Sequence, residues 1–198
     1  SKTLKCDVAI LGGGLAGGLI ALALRRKRPE LDVLLIEESA TLGGNHIWSF
    51  FGPDVAGEHR WLVAPLVCHG WRGYDVKFPG HERGLEESYY SILSDRFDAY
   101  LREAIPAHNN VTGVRPLAAR QTNVVLENGA RIEAGADLDA RRGGNVRPLP
   151  FVWQKFMVRL LPPAHPPAPP PPTILARTFQ QTDRHSFGHC PVGRFLLH

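Results

Sequence analysis

The stretch "DVAILGGGLAGGLIALAL", Asp7 to Leu24, begins as a strand, turns through three consecutive glycines and continues as a helix. Cys6 to Leu11 is an apolar run of strand length. Leu15 to Arg28 carries small and aliphatic residues at helical spacing and halts before Pro29, which cannot continue a helix. Gly12, Gly14 and Gly17 satisfy G-x-G-x-x-G. In that pattern Gly12 permits the tight turn, Gly14 lets backbone approach a pyrophosphate, and Gly17 lets helix and strand pack closely. "DVLLIE", Asp32 to Glu37, reads as a second buried strand ending on a carboxylate. Strand, helix and strand in this order predict a right-handed parallel βαβ unit.

Such a unit bares the first N–H groups of its helix toward a ligand, and the helix dipole favours an anion there. Leu11, Gly12, Gly13, Gly14, Leu15, Ala16 and Gly17 are therefore the candidate cofactor-binding residues of the turn. Glu37, twenty residues after Gly17, is placed to accept hydrogen bonds from ribose hydroxyls and to repel a 2′-phosphate, which disfavours NADP at this turn. Gly43 and Gly44, in "LGGNHIWSF", let backbone run close to an extended cofactor. The bland alternatives are a glycine turn that binds nothing and, at Gly43–Gly44, a plain loop. His46 reads as a structural histidine, and Trp48 and Phe50 as core, although Trp61 and Trp71 make this region unusually aromatic. These residues do not choose between NAD and FAD.

Further along, residues 43–78 read as an aromatic-rich loop, a short helical stretch near His59 to Leu66, and a strand "YDVKF". "SYYSIL" reads as strand. "SDRFDAYLREAI" reads as an amphipathic helix, with Ser94 as N-cap and Phe97, Leu101 and Ile105 on one stripe. "TNVVLENGARIEA" is a hairpin signal whose Asn128-Gly129 suits a type I′ turn, and "ADLDA" reads as a further strand. From Pro162 the character changes: eight of the eleven residues to Pro172 are proline, which favours polyproline II and forbids a sheet ladder. The last stretch, "TDRHSFGHCPVGRFLLH", shows no period. The expected layout is a dinucleotide-binding domain over residues 1–161 and an irregular, disordered or aberrant proline-rich tail over 162–198.

The chain has 198 residues, a net charge of +4 and three cysteines, Cys6, Cys68 and Cys190. Its cations form no stripe interleaved with aromatics, so no nucleic-acid partner is expected. "RRKR", Arg25 to Arg28, suits the negative end of the first helix. Odd, widely spaced cysteines suggest a reducing compartment and provide no metal-ligand spacing. Cys6, on the first strand, reads as a small buried apolar group. Asp7 and the glycines argue against a signal peptide or spanning helix, so a cytoplasmic protein, soluble or at a membrane surface, is expected.

"DVAILGGGLAGGLIALAL", "LLIEE", "GGNHIWSF", "HRWLVAPLV", "YDVKFP" and "GARIEAGADLDARRG" together resemble the bacterial lycopene β-cyclases, flavin-dependent proteins of carotenoid biosynthesis. The likeness runs from about Asp7 to Leu161, the N-terminal half of a typical member. It implies FAD at the glycine turn, with Glu37 on the adenosine ribose and Gly43-Gly44 near the pyrophosphate or flavin. It also implies reduced flavin, with NAD(P)H as external reductant, and lycopene or a related linear carotenoid as substrate. The family's reaction is an isomerisation without net redox. A proton is delivered to a terminal double bond, the cation is attacked by a neighbouring double bond, and proton loss leaves a β-ionone ring. Peripheral attachment to the inner membrane follows from such a substrate, while oligomeric state is not implied.

Past "WQKF" the family continues to an "IEDT"-like motif whose glutamate supplies the acid, whereas this chain has "PPTILARTFQQTDRHSFGHCPVGRFLLH". Only "PPTI" and "GRFLL" follow the pattern, and Asp183 does not stand in the motif. Asp137 is a charge where the family prefers an apolar strand residue. The expectation is an incomplete Rossmann-like FAD/NAD(P)-binding α/β domain, a fragment prone to aggregate, with no assigned catalytic residue. A reading-frame slip would produce this ending, and translation of the other frames tests for one. The competing functions are a hydroxylase-like FAD/NAD(P) oxidoreductase, and a non-catalytic dinucleotide-binding remnant whose proline run is a ligand for aromatic-lined grooves.

Overall fold

The computed structural model describes residues 3–78, 80–120 and 122–141, together with the backbone of three strands, Phe156–Leu160, Thr173–Leu175 and Gly193–Leu197. The proline run 162–172, Asp183 and Cys190 lie outside the described residues.

Contacts divide the chain into two compact units, the first comprising Ser1–Trp48, Val55–Cys68 and Ser91–Val146. It opens with strand β1 (Thr3–Leu11), helix α1 (Leu15–Lys27) and strand β2 (Val33–Glu37), with β1 and β2 parallel. The predicted βαβ unit is therefore present. A six-stranded sheet runs in the order Asn110–Thr112, β2, β1, Arg131–Asp139, Asn123–Leu126, Pro116–Arg120. Its first four strands are parallel neighbours, and the last two add as antiparallel ribbons.

The burial follows from this order. "VLLI" of β2 is buried throughout, as a central parallel strand covered on both faces must be. Ala9, Leu11, Leu34, Ile36, Val124, Leu126, Ile132 and Ala134 pack as one core cluster. Ile10 alternates to the opposite face, toward α1: a Cβ on Gly17 of α1 would lie 3.3 Å from the Ile10 Cγ2. The helix Ser94–Ala104 buries Phe97 and Leu101, with Ile105 following, as the apolar stripe requires. Away from the glycine turn, Asp7 accepts the Asp32 N–H (2.8 Å) and Asp32 accepts the Asn109 side-chain amide (2.7 Å), which pins the start of β2 to β1.

Several local expectations are corrected. Ser94 is the first helical residue, and Leu93 occupies the cap position without a side-chain cap bond. The buried Ser94 gives its N–H to the His46 carbonyl (3.1 Å), so tertiary contact replaces capping. The hairpin at Asn128-Gly129 forms, but its loop has three residues instead of two. Gly129 N–H reaches the Leu126 carbonyl, Leu126 N–H reaches the Ala130 carbonyl, and Gly129 takes φ +79°. That is a turn closed by a glycine bulge, which twists with the strands as well as the expected turn does. "ADLDA" is no separate strand: it completes the nine-residue strand Arg131–Asp139, paired along β1. Within the expected aromatic loop, Ile47–Phe51 is strand.

The second unit comprises Ser49–Asp54, His69–Tyr90 and Arg147–His198. Its five-stranded sheet has the order Phe156–Leu160, Gly193–Leu197, Thr173–Leu175, Tyr74–Phe78, His81–Leu85. "GRFLL", in the stretch without period, is thus a strand. Phe51, Tyr74 and Tyr89 stack with ring centroids 5.1 to 6.0 Å apart, which accounts for part of the aromatic density.

Two outcomes are expected. A Cβ at Gly18 would overlap the Phe97 Cζ and approach Leu101 Cδ1 to 2.8 Å. Gly18→Ala therefore costs about 2 kcal/mol in urea unfolding, and roughly half of that cost disappears in a Phe97→Leu background, where the obstructing ring is gone. Equal costs in both backgrounds would contradict the packing. Cys6 is half-buried instead of fully buried, and burial, with Asp32 and Asp7 nearby, raises its thiol to about 11 from 9.0. Its alkylation near pH 8, followed by peptide mass spectrometry, should run about a hundredfold slower than that of a free cysteine.

Candidate functional site

The turn from β1 to α1 is built by one contact that only glycine allows. A Cβ on Gly17 would overlap the Gly12 carbonyl oxygen, so the first turn of α1 sits directly on the end of β1. Gly12 takes φ +103° and donates its N–H to the Ile36 carbonyl of β2 (2.8 Å). Gly14 then caps α1 in extended backbone, φ −72° and ψ −173°, without a side-chain cap, and no acid occupies the first turn. The first helix bond runs from Gly18 N–H to the Gly14 carbonyl (2.9 Å). The N–H groups of Leu15, Ala16 and Gly17 are thus the helix's unpaired donors. A Cβ built on Gly14 meets nothing within 4 Å, because the turn opens there into a groove.

That groove has a volume of about 990 Å³, and Gly12, Gly14, Leu15, Ala16, Glu37, Gly43 and Gly44 line it. The structure thereby brings together most of the residues singled out from sequence. Gly17 and Gly13 are buried behind the turn, and Leu11 is buried at the end of β1, so these three shape the turn and do not line it. Glu37 stands half-buried at the tip of β2. Its Oε2 accepts the Gly13 N–H (2.7 Å) and its Oε1 the Ser39 N–H (2.9 Å), which aims the carboxylate while leaving lone pairs toward the groove.

Gly43 and Gly44 both take positive φ, +79° and +61°. Their loop is anchored from two sides. Gly43 N–H bonds the Gly13 carbonyl (2.8 Å), and Asp98 of the helix Ser94–Ala104 accepts the Leu42 N–H (2.8 Å). Arg102 then bridges Asp98 and the Ala40 carbonyl. His46 and Trp48 continue this wall, with Trp48 edge-on to Phe97 at 5.2 Å.

Sequence reasoning missed the facing wall: Arg115, Pro116, Asp139, Ala140 and Arg141. The chain leaving the strand Arg131–Asp139 crosses the glycine turn, with Ala140 N–H on the Leu11 carbonyl (2.8 Å). A Cβ on Gly12 would meet the backbone of Ala140 and Arg141 at 3.0 Å. Arg141 is held by Asp139 (Nη2 to Oδ2 2.7 Å, Nε to Oδ1 2.9 Å) and by the Pro116 carbonyl (3.1 Å). These hydrogen bonds hold the Asp139 carboxyl below the usual carboxylate range. The local sequence signal was the D-x-R spacing in "DLDARRG", whose partners become visible only when the strand lies beside β1.

The groove is large enough for an extended ligand. Unpaired N–H donors meet it at one end of the turn, and a carboxylate aimed by backbone stands at the neighbouring strand tip. This donor set suits a dinucleotide, whose diphosphate accepts hydrogen bonds and whose ribose donates them.

A family model described as lycopene cyclase protein matches residues 7–187. A lycopene beta-cyclase of Pseudescherichia vulneris is 46% identical over 140 residues, 68% of this chain and 35% of that protein. One from Pantoea ananas is 36% identical over 183 residues, 91% of this chain and 47% of that protein. The chain thus spans between about a third and a half of the length of these curated relatives. Among solved structures, pqsL of Pseudomonas aeruginosa, a probable FAD-dependent monooxygenase, superposes with a TM-score of 0.51 at 18% identity, covering 66% of this chain and 40% of that one. RebC-10x superposes with a TM-score of 0.52 at 20% identity, covering 69% and 32%. Those two likenesses establish the fold alone, a Rossmann-like α/β sheet. With the family match spanning most of its length, the chain belongs to the lycopene cyclase family.

Proposed function

We propose that this chain is the dinucleotide-binding part of a flavin-dependent lycopene β-cyclase, with FAD in the groove at the β1–α1 turn. The observation that carries the reading is the open backbone at Gly14, where an uncapped helix end faces free space. The diphosphate would lie on the N–H groups of Leu15 and Ala16, the adenosine ribose on Glu37, and the extended remainder along Gly43-Gly44. Glu37 and its neighbour Glu38, both lining the groove, disfavour a 2′-phosphate. Reduced flavin, when bound, supplies an electron-rich face for a carbocation formed on a polyene. NAD(P)H would serve only to reduce it, and the reaction itself converts the ends of lycopene or a related linear carotenoid to β-ionone rings without net redox.

Work at a membrane surface fits so apolar a substrate, and no helix among the described residues is long and apolar enough to cross a bilayer. The family's acid motif has no match in this sequence, so the chain's own residues bind and orient a cofactor but supply no assigned proton donor.

Two measurements test this reading. In Gly14→Asp the new side chain enters open space at a backbone conformation any residue adopts, and aspartate is a better helix cap than glycine. Its melting temperature should stay level or rise, while affinity for FAD, or for ADP as the probe of its diphosphate end, falls on the order of 100-fold through charge repulsion. Undiminished binding would place the ligand elsewhere. Lycopene offered with reduced FAD should be converted little or not at all by the 198-residue chain. Substantial β-ring formation would show that an acid outside the family motif does the work.

A further inference from the structure

The end of α1 leaves Arg25, Arg26, Lys27 and Arg28 in solvent, and the fold brings Trp61, with the exposed Arg60 next to it, beside them. The Arg26 guanidinium lies 4.5 Å from the centroid of the Trp61 ring, and the Lys27 ammonium 5.6 Å from it. Trp61 sits on the helical turn Arg60–Val63, where Trp61, Leu62 and Val63 are half-buried and Arg60 is exposed. Over residues 25–30 and 57–63, five arginine and lysine side chains stand against two carboxylates, Glu30 and Glu58. Glu30 pairs with Arg28 and Glu58 with His59. The helix dipole rewards cations in the last turn of α1, but it does not account for Arg60 or for an indole beneath Arg26 and Lys27.

We infer that this face docks the protein on an anionic lipid bilayer. Arg25, Arg26, Lys27 and Arg60 would meet the phosphodiester headgroups, and the Trp61–Val63 turn would settle at the headgroup boundary, where an amphipathic indole is favoured. A bilayer fits better than a nucleic acid. One half-buried ring already stacked under two cations offers no platform for successive bases, whereas a lipid surface asks only for charge and an interfacial ring. The inference stands on this surface alone. Should the cyclase reading hold, it also explains how the chain reaches the phase in which a carotenoid dissolves.

The test is co-sedimentation of the full chain with phosphatidylcholine vesicles, with and without about one-third phosphatidylglycerol, in the absence of flavin and carotenoid. Binding is expected only to the anionic vesicles, and it should weaken as salt rises. Replacing Arg26, Lys27 and Arg60 by glutamine should weaken it on the order of 100-fold, about fivefold per cation. The equal charge change Arg72→Gln, Arg83→Gln, Arg131→Gln, at exposed sites elsewhere, should weaken it far less. Because the altered face carries a helix end, far-UV circular dichroism and melting accompany both variants, and Trp61→Phe alone should reduce binding several-fold with the fold intact. Equal losses in the two triple variants, equal binding to neutral vesicles, or tighter binding to a DNA duplex than to anionic vesicles would overturn the inference. Since neither cofactor nor substrate is present, its failure would leave the cyclase reading untouched.

Discussion

The contact between Gly17 and the Gly12 carbonyl oxygen sets the geometry around it. With no side chain between them, α1 starts on the end of β1 and its first N–H groups come to the sheet's edge unpaired. A larger residue at position 17 would lift the helix and turn those donors away. Gly12 itself takes a positive φ, where its N–H reaches β2, and its missing Cβ leaves room above it for the Ala140–Arg141 peptide. Two positions without a side chain, Gly12 and Gly17, thus join three strands and a helix at one point, and the groove begins there.

Loops form much of this groove, yet ties to regular structure hold them. The loop after β2 would be free to wander on its own glycines, but Asp98 and Arg102 pin it to a helix whose Phe97 and Leu101 are buried. Arg141 is tied at its guanidinium to Asp139 and Pro116. Charged hydrogen bonds of this kind cost entropy at an exposed surface, and their return here is position more than stability. A groove that is to take a flexible, extended ligand gains from walls ordered in advance.

Electrostatically the groove is divided. The helix end is positive by virtue of its dipole and carries no acid in its first turn, whereas Glu37 and Glu38 gather at the tip of β2. A ligand with an anionic middle and a hydroxylated sugar matches that division. The basic face at the far end of α1 lies on the same helix, whose two termini thus favour opposite charges.

Local sequence was enough for β1, α1, β2, the turn at Gly12 and the close packing at Gly17, because a turn, a helix start and a strand end are encoded within a few neighbouring residues. Glu37 was readable for the same reason: its position follows from counting along that unit. Contacts between distant segments were not readable. Arg141 becomes part of a wall only because Arg131–Asp139 pairs along β1, more than a hundred residues away in the chain. Ser94 gives up its capping role to a carbonyl contributed by His46, and "ADLDA" joins a longer strand because β1 offers it an edge. Trp61 acquires its cations in the same way, from a helix end that no periodicity connects to it. Short-range sterics and hydrogen bonding are written in order along the chain, whereas pairing between remote strands and faces depends on which surfaces are left to bury once the local elements have formed.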